Sequence, residues 1–117
     1  MPSIQIISPV PGEQFILTRN PMTSQVMLPC VKLQITDPDP QMNGDALVVR
    51  STQNPPPSTS RVLSPGAAPG QYELTNVMVV GAPSPGGGYE SFKVCAWARI
   101  AGNTLSANPV TIQLKVI

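Results

Sequence analysis

Residues 89–116 read YESFKVCAWARIAGNTLSANPVTIQLKV, and this stretch decides the fold class. Every second residue is apolar from Phe92 to Ala98, and again from Val110 to Val116. Strict alternation is the pattern of a β-strand that buries one face. Between the two runs, Ala101-Gly102-Asn103 has the composition of a tight turn. The stretch therefore predicts a β-hairpin.

The rest of the chain repeats this pattern in shorter runs that proline, glycine, aspartate and asparagine separate. Residues 14–17 are expected to continue the edge that the first strand forms. The predicted runs are 3–8, 26–36, 46–52, 61–63, 71–80, 89–100 and 110–116. Leu74 and Val77 have opposite parity, so a bulge is predicted near Asn76.

Regularly spaced short strands predict an all-β sandwich of about seven antiparallel strands. A closed barrel is the alternative, because strand spacing alone does not separate the two. A length of 117 residues predicts one domain, residues 1–117. The parity of the runs places the following side chains in the core: Ile4, Ile6, Val31, Leu33, Ile35, Val48, Tyr72, Leu74, Phe92, Val94, Ala96, Val110, Ile112 and Leu114.

Residues 89–116 resemble the F–G hairpin of immunoglobulin-like domains, most closely those of the fibronectin type III kind. The resemblance lies in Phe92-x-Val94-x-Ala96, Ala101-Gly102, Ser106 and Pro109-Val110. Residues 31–39 (VKLQITDPD) resemble strand B and the following turn of bacterial immunoglobulin-like modules. These matches cover roughly a third of the chain and imply an immunoglobulin-like β-sandwich. They imply nothing about function, since this fold hosts many.

Charged residues are scarce: 7 basic and 6 acidic side chains make 11% of the chain, against about 25% in an average soluble domain. A net charge of +1 gives no field for holding nucleic acid or an anionic membrane, so we expect neither as a partner. No run approaches the roughly 20 apolar residues of a membrane helix. The N-terminus lacks the pattern of a signal peptide.

Catalysis by a nucleophile paired with histidine is excluded, because the chain contains no histidine. Glu13, Glu73 and Glu90 lie on separate elements without a shared motif. A small hydrolase would need two carboxylates that converge in a cleft. We therefore predict a protein that is not an enzyme and that needs no cofactor.

One loop carries the residue types of a calcium site. Asp37 and Asp39, with Asn43 and Asp45 close behind, offer several oxygen ligands between two strands. Aspartate and proline are also the usual residues of a solvated turn. The prediction is a calcium site at Asp37, Asp39 and Asp45, with the solvated turn as the alternative.

Parity predicts that both cysteines are free thiols. Cys30 shares its face with Lys32, and Cys95 shares its face with Lys93. Charged side chains are almost never buried without a partner, so both cysteines are expected to point outward from opposite sheets. Outward residues on sheets about 10 Å apart are too distant to form a disulfide.

Trp97 has the parity of Cys95 and is expected on the outer face. It either lies over side chains of the neighbouring strand or anchors an interface, where tryptophan is enriched. Thr111 and Gln113 add to the same outer face, so the predicted interface is Trp97, Thr111 and Gln113. Recognition is also expected in three proline-rich loops, residues 54–58, 65–70 and 82–88.

Low charge and the resemblance together favour a structural or binding role. Interface cores are depleted in charged residues, and a monomer with so little charge tends to self-associate. The leading hypothesis is an accessory or decoration subunit on a large protein shell, similar to the immunoglobulin-like decoration proteins of phage capsids, with a location on the virion surface. The alternative is an adhesion or carbohydrate-binding repeat of a secreted bacterial surface protein, with an extracellular location. The expected partner is then another protein, a shell lattice or, in a homo-oligomer, further copies of the same chain.

Overall fold

The computed structural model describes residues 2–50 and 60–117, and its regular structure is entirely β. This part of the chain contains ten strands and no helix. The described residues therefore include no helix long and apolar enough to cross a membrane. The all-β class is confirmed. The strands are β1 (Ser3–Ser8), β2 (Gln14–Leu17), β3 (Met27–Thr36), β4 (Asn43–Arg50), β5 (Arg61–Val62), β6 (Ser64–Pro65), β7 (Gln71–Met78), β8 (Glu90–Ile100), β9 (Asn103–Ser106) and β10 (Val110–Val116).

The strands form two sheets. The smaller sheet has the order β1-β3-β7-β6. The larger has the order β2-β10-β8-β4-β5, and β9 pairs with β8 beyond the start of β10. The count exceeds the predicted seven by three, because β2 is a strand of its own, the predicted run 61–63 becomes the two-residue pieces β5 and β6, and β9 forms ahead of β10.

Two predictions about the N-terminal segment are wrong. β2 does not continue the edge of β1 but crosses to the other sheet, and it pairs parallel with β10 rather than antiparallel. The chain crosses between the sheets through residues 9–13. The Ser8–Pro9 peptide bond is cis, and Gly12 has a φ of 81°, a left-handed conformation that glycine adopts readily. Since proline has no N–H to give to a ladder, Pro9 and Pro11 end the pairing with β3 and free the chain to change sheets.

The core lies between the two sheets and matches the sequence prediction closely. Of the fourteen predicted core residues, twelve are buried, while Ile4 and Tyr72 are partly buried and pack against the same cluster. The additional members of the core come mainly from strand ends and loops: Leu17, Val26, Leu28, Met42, Ala46, Leu63, Val77, Val79, Ala98, Ile100, Ala107 and Val116.

The predicted bulge near Asn76 is instead a kink shared by two strands. Leu28 opposite Val77 and Cys30 opposite Thr75 keep one register, so neither strand has an extra residue. Asn76 has a φ of 52°, a left-handed conformation that asparagine tolerates better than most residues. The alternation of inward and outward side chains therefore shifts by one residue at the same level in both strands, and Val77 is buried in the core.

Candidate functional site

Trp97 projects from the outer face of the larger sheet, where the sequence placed it. Its cross-strand neighbours are Asp45 on β4 and Ser106 on β9. The side chain is partly buried. The indole is thus held within a sheet face and still presents surface to solvent, which is the environment of an amphipathic aromatic residue.

Thr111 and Gln113 lie on the same face but not beside Trp97. Thr111 is opposite Lys93 and is exposed, while Gln113 is opposite Ser91 and donates a hydrogen bond from Nε2 to Ser91 Oγ at 2.9 Å. Trp97 and Lys93 are four positions apart on β8, a distance of about 13 Å along the strand. The three predicted interface residues therefore span the sheet face and do not form one contact point.

The surface between them is mostly apolar. Leu47 is opposite Cys95, and both side chains are partly buried. Val49 is opposite Lys93 and is only 1% exposed, although it lies outside the main core cluster. Val49 therefore has no surface to offer to a partner. We call the side chains of Trp97, Cys95, Leu47 and Lys93 the outer-face strip. Its one charged member is Lys93, so the other three side chains can lose water at little electrostatic cost.

The carboxylate next to Trp97 is already paired. Asp45 is 7% exposed, and its Oδ1 accepts hydrogen bonds from Arg61 Nε at 3.1 Å and from the Ala46 N–H at 2.8 Å. Arg61 also donates to the Thr75 carbonyl, so this side chain links β4 of the larger sheet to β7 of the smaller. Sequence reasoning missed the pair, since nothing in the pattern connects residues that are 16 positions apart.

The three aspartates of the predicted calcium site are not brought together as one group. Asp39 Oδ2 accepts a hydrogen bond from the Ala101 N–H at 2.6 Å, whereas Asp45 pairs with Arg61. Asp37 has a left-handed φ of 53°. Within residues 2–50 and 60–117, no three acidic or cysteine side chains are grouped as metal ligands. The hydrogen bond of Asp39 connects the loop before β4 to the β8–β9 turn. Calcium binding stays a prediction.

The other carboxylates are similarly dispersed. Glu13 accepts a hydrogen bond from the Val10 N–H at 3.1 Å. Glu73 lies 3.9 Å from Lys32, and Glu90 lies 2.6 Å from Arg50. Each glutamate thus has its own partner on a different part of the fold, so the described residues do not place two of them as an acid–base pair.

Both cysteines are free and lie on the outer faces of different sheets, as predicted. Burial raises the pKa of the Cys95 thiol above its ordinary value, and Lys93 opposes this only in part. Burial also raises the pKa of Cys30, with a further increase from the negative charge of Glu73 and a decrease from Lys32. Because the thiolate is the nucleophilic form, neither cysteine is an activated nucleophile at neutral pH.

We expect two thiols to react with a thiol reagent in denaturant without reductant. In the folded protein at neutral pH both should react more slowly than in the unfolded chain, because the raised pKa leaves less thiolate. The folded-state rate should rise as the pH approaches and passes the raised pKa values. The measurement is a timed thiol titration with and without denaturant; finding no thiol in denaturant would contradict the assigned facing of at least one strand.

The predicted recognition loops do not converge. Residues 65–70 lie at the end of the sandwich where the Gly70 carbonyl accepts the Ile35 N–H at 2.8 Å. Residues 82–88 lie at the opposite end, where Gly86 N–H donates to the Val116 carbonyl and Arg19 donates to the Pro83 carbonyl. Residues 54–58 are outside the described part of the chain. Residues 65–70 and 82–88 therefore cannot form a single binding site.

A polar cleft of about 380 Å³ opens beside the loop between β2 and β3. Arg19 within it already donates to the Ser24 carbonyl at 2.7 Å. Asn20 Oδ1 accepts the N–H groups of Met22 and Thr23, which fixes the loop. The cleft is lined by Thr18, Arg19, Asn20, Pro21, Thr23, Gln25, Met27 and Asn76.

Comparison with known proteins adds no assignment: no protein-family model and no curated protein sequence matches the chain.

Proposed function

We propose that this protein is an immunoglobulin-like sandwich that has no catalytic role and binds another protein through the outer face of its larger sheet. The strand order supports the fold assignment. An immunoglobulin-type sandwich divides its strands into an A-B-E-D sheet and a C-F-G sheet. The order β1-β3-β7-β6 follows the first, and β4, β8 and β10 follow the second.

The observation that carries the binding role is the ion pair between Arg61 and Asp45, the cross-strand neighbour of Trp97. A docking partner would remove water from this face, and an unpaired carboxylate there would make that costly. Arg61 already neutralises Asp45 within the protein. The face can therefore offer a tryptophan anchor whose neighbouring carboxylate is already neutralised, with the apolar side chains of Cys95 and Leu47 farther along the same face.

The proposal extends to an accessory or decoration subunit on a large protein shell, such as a phage capsid, with a location on the virion surface. A shell offers many identical sites, so even a modest interface on each subunit gives high occupancy when the local concentration is high. The outer-face strip suits such docking because it offers apolar contact area and the side chain of Trp97.

The second candidate is a carbohydrate-binding repeat, and the polar cleft favours it. Its amide and hydroxyl side chains, among them Gln25, Asn76 and Thr18, are of the kind that hydrogen-bond sugars. This candidate needs no shell and does not use Trp97, so the experiment on particle binding also separates the two.

Sedimentation of the native protein through a density gradient tests the proposal. We expect it to travel with a large particle, and the bound fraction should change little between about 0.1 M and 1 M salt, although the screening length falls from about 10 Å to 3 Å. Trp97→Ala should lower the bound fraction strongly, whereas Thr36→Ala, an exposed change on the smaller sheet, should not. A protein that stays at the top of the gradient, or a Trp97→Ala variant that binds normally, would contradict the proposed face.

A further inference from the structure

β1 is the longest strand in the described part of the chain that has a partner on one side only. It has six residues and pairs only with β3. The other strands with a single partner, β2, β5, β6 and β9, have two to four residues. Short edge strands offer little to pair with, so the edge of β1 is the one where a further strand could add.

The first four residues of this edge, Ser3–Ile6, also lack the features by which proteins protect edge strands. Charges, prolines and bulges are the usual means of preventing further pairing. The segment Ser3–Ile6 contains none of them, and the first charged residue of the chain is Glu13. The shift in register comes only after Ile6, and two prolines, Pro2 and Pro9, lie directly outside the strand at its two ends.

The backbone groups on the open side can be assigned from the pairing of β3. The Ile35 N–H donates to the Gly70 carbonyl at the start of β7, so Ile35 faces β7 and Gln34 faces β1. Gln34 is opposite Gln5 and Thr36 is opposite Ser3, so Gln5 and Ser3 are the residues of β1 that bond to β3. Neighbouring residues of a strand point their N–H and C=O groups to opposite sides. Ile4 and Ile6 therefore direct theirs away from β3.

We propose that β1 pairs antiparallel with β1 of a second copy of this chain, across a two-fold axis at Gln5. Ile4 of each copy then lies opposite Ile6 of the other, and each such pair exchanges two backbone hydrogen bonds. Ile4 and Ile6 flank Gln5 symmetrically, so the free backbone groups of one copy match those of the other when a two-fold axis relates them. Two four-stranded sheets become one of eight strands.

The side chains suit this symmetric pairing. The two copies of Gln5 meet directly on the outer face, and each continues a row formed with Gln34 and Gln71 on the adjacent strands. On the inner face, the partly exposed side chain of Ile4 gains Ile6 of the other copy as a neighbour. A net charge of +1 per copy gives little repulsion at long range. The dimer uses the smaller sheet and is independent of the proposed binding face on the larger.

Gln5→Lys is the direct test, because it places two like charges opposite each other at the axis while the exposed side chain costs the fold little. We expect sedimentation equilibrium of the unaltered chain to show a monomer–dimer equilibrium. The dissociation constant should rise about two- to fivefold in Gln5→Lys. Thr75→Lys, an exposed change two strands away on the same sheet face, should leave the dissociation constant unchanged.

Mixing opposite charges makes the assignment specific. Gln5→Glu alone should also weaken the dimer, and an equal mixture of Gln5→Glu and Gln5→Lys should restore it. In the unaltered chain, hydrogen exchange at the Ile4 and Ile6 amides should slow as the protein concentration rises. An unaltered chain that stays monomeric, or a dimer whose dissociation constant is the same in Gln5→Lys, would overturn the proposal.

Discussion

Phe92→Ala should lower the free energy of unfolding by roughly 3–5 kcal/mol, a large part of the 5–15 kcal/mol that a typical domain has. Phe92 is fully buried on the inner face of β8, opposite Ile112 of β10. Removing the ring loses its transfer free energy and leaves a cavity between the sheets. The guanidinium carbon of Arg50, now 4.9 Å from the ring centroid, would also lose its aromatic partner.

Phe15→Ala is the matched control for this experiment. Phe15 is the same residue type, but it lies on the edge strand β2 and is only partly buried. Less apolar surface returns to water when its ring is removed, so a smaller loss is expected. Urea denaturation of both variants gives the comparison. A loss for Phe92→Ala no larger than that for Phe15→Ala would mean that β8 faces the other way.

Gly44→Ala should destabilise the protein by roughly 1–3 kcal/mol through overpacking. A Cβ at this position of β4 would overlap the Trp97 carbonyl oxygen and would lie 3.1 Å from the Ala98 Cα. Both contacts are with backbone atoms of β8, which cannot rotate away as a side chain can. The methyl group must push β4 and β8 apart at the Gly44–Ala98 pair.

Gly88→Ala is the corresponding control, because nothing lies within 4 Å of a Cβ there and its φ is outside the left-handed region. Its free energy of unfolding should change little or rise slightly, as alanine restricts the unfolded chain. Thermal or urea unfolding of both variants measures the difference. Equal stabilities of Gly44→Ala and Gly88→Ala would show that β4 and β8 are not so closely apposed.

The sequence predicted those features of the fold that depend on alternation. A buried face is specified at every second residue, so the pairing of β8 with β10 and most of the core could be found from Phe92, Val94 and their neighbours. The crossing of β2 to the other sheet could not. Gln14–Leu17 alternates equally well at either edge, and only the geometry of the preceding turn selects the sheet.

The sequence predicted which face of the sheet the candidate site residues occupy, but not how far apart they lie on that face. Parity placed Trp97, Thr111 and Gln113 on one face, because facing follows from position within a strand. Their separation along the sheet depends on the register of β10 against β8, which residue type does not encode. The Asp45–Arg61 pair and the hydrogen bond from Ala101 to Asp39 join distant segments, so no local pattern could have indicated them.

The two sheets are joined along both of their long sides. On one side the chain itself crosses from β1 to β2. On the other, Val79 forms a parallel bridge with Val48, the Val80 N–H donates to the Val48 carbonyl at 2.8 Å, and Arg61 spans from Asp45 to Thr75. Neither sheet can then peel away while the other stays intact, because separation along either side breaks hydrogen bonds or moves covalent chain. The sandwich should open as one cooperative unit, and partial unfolding should be confined to the loops at its two ends.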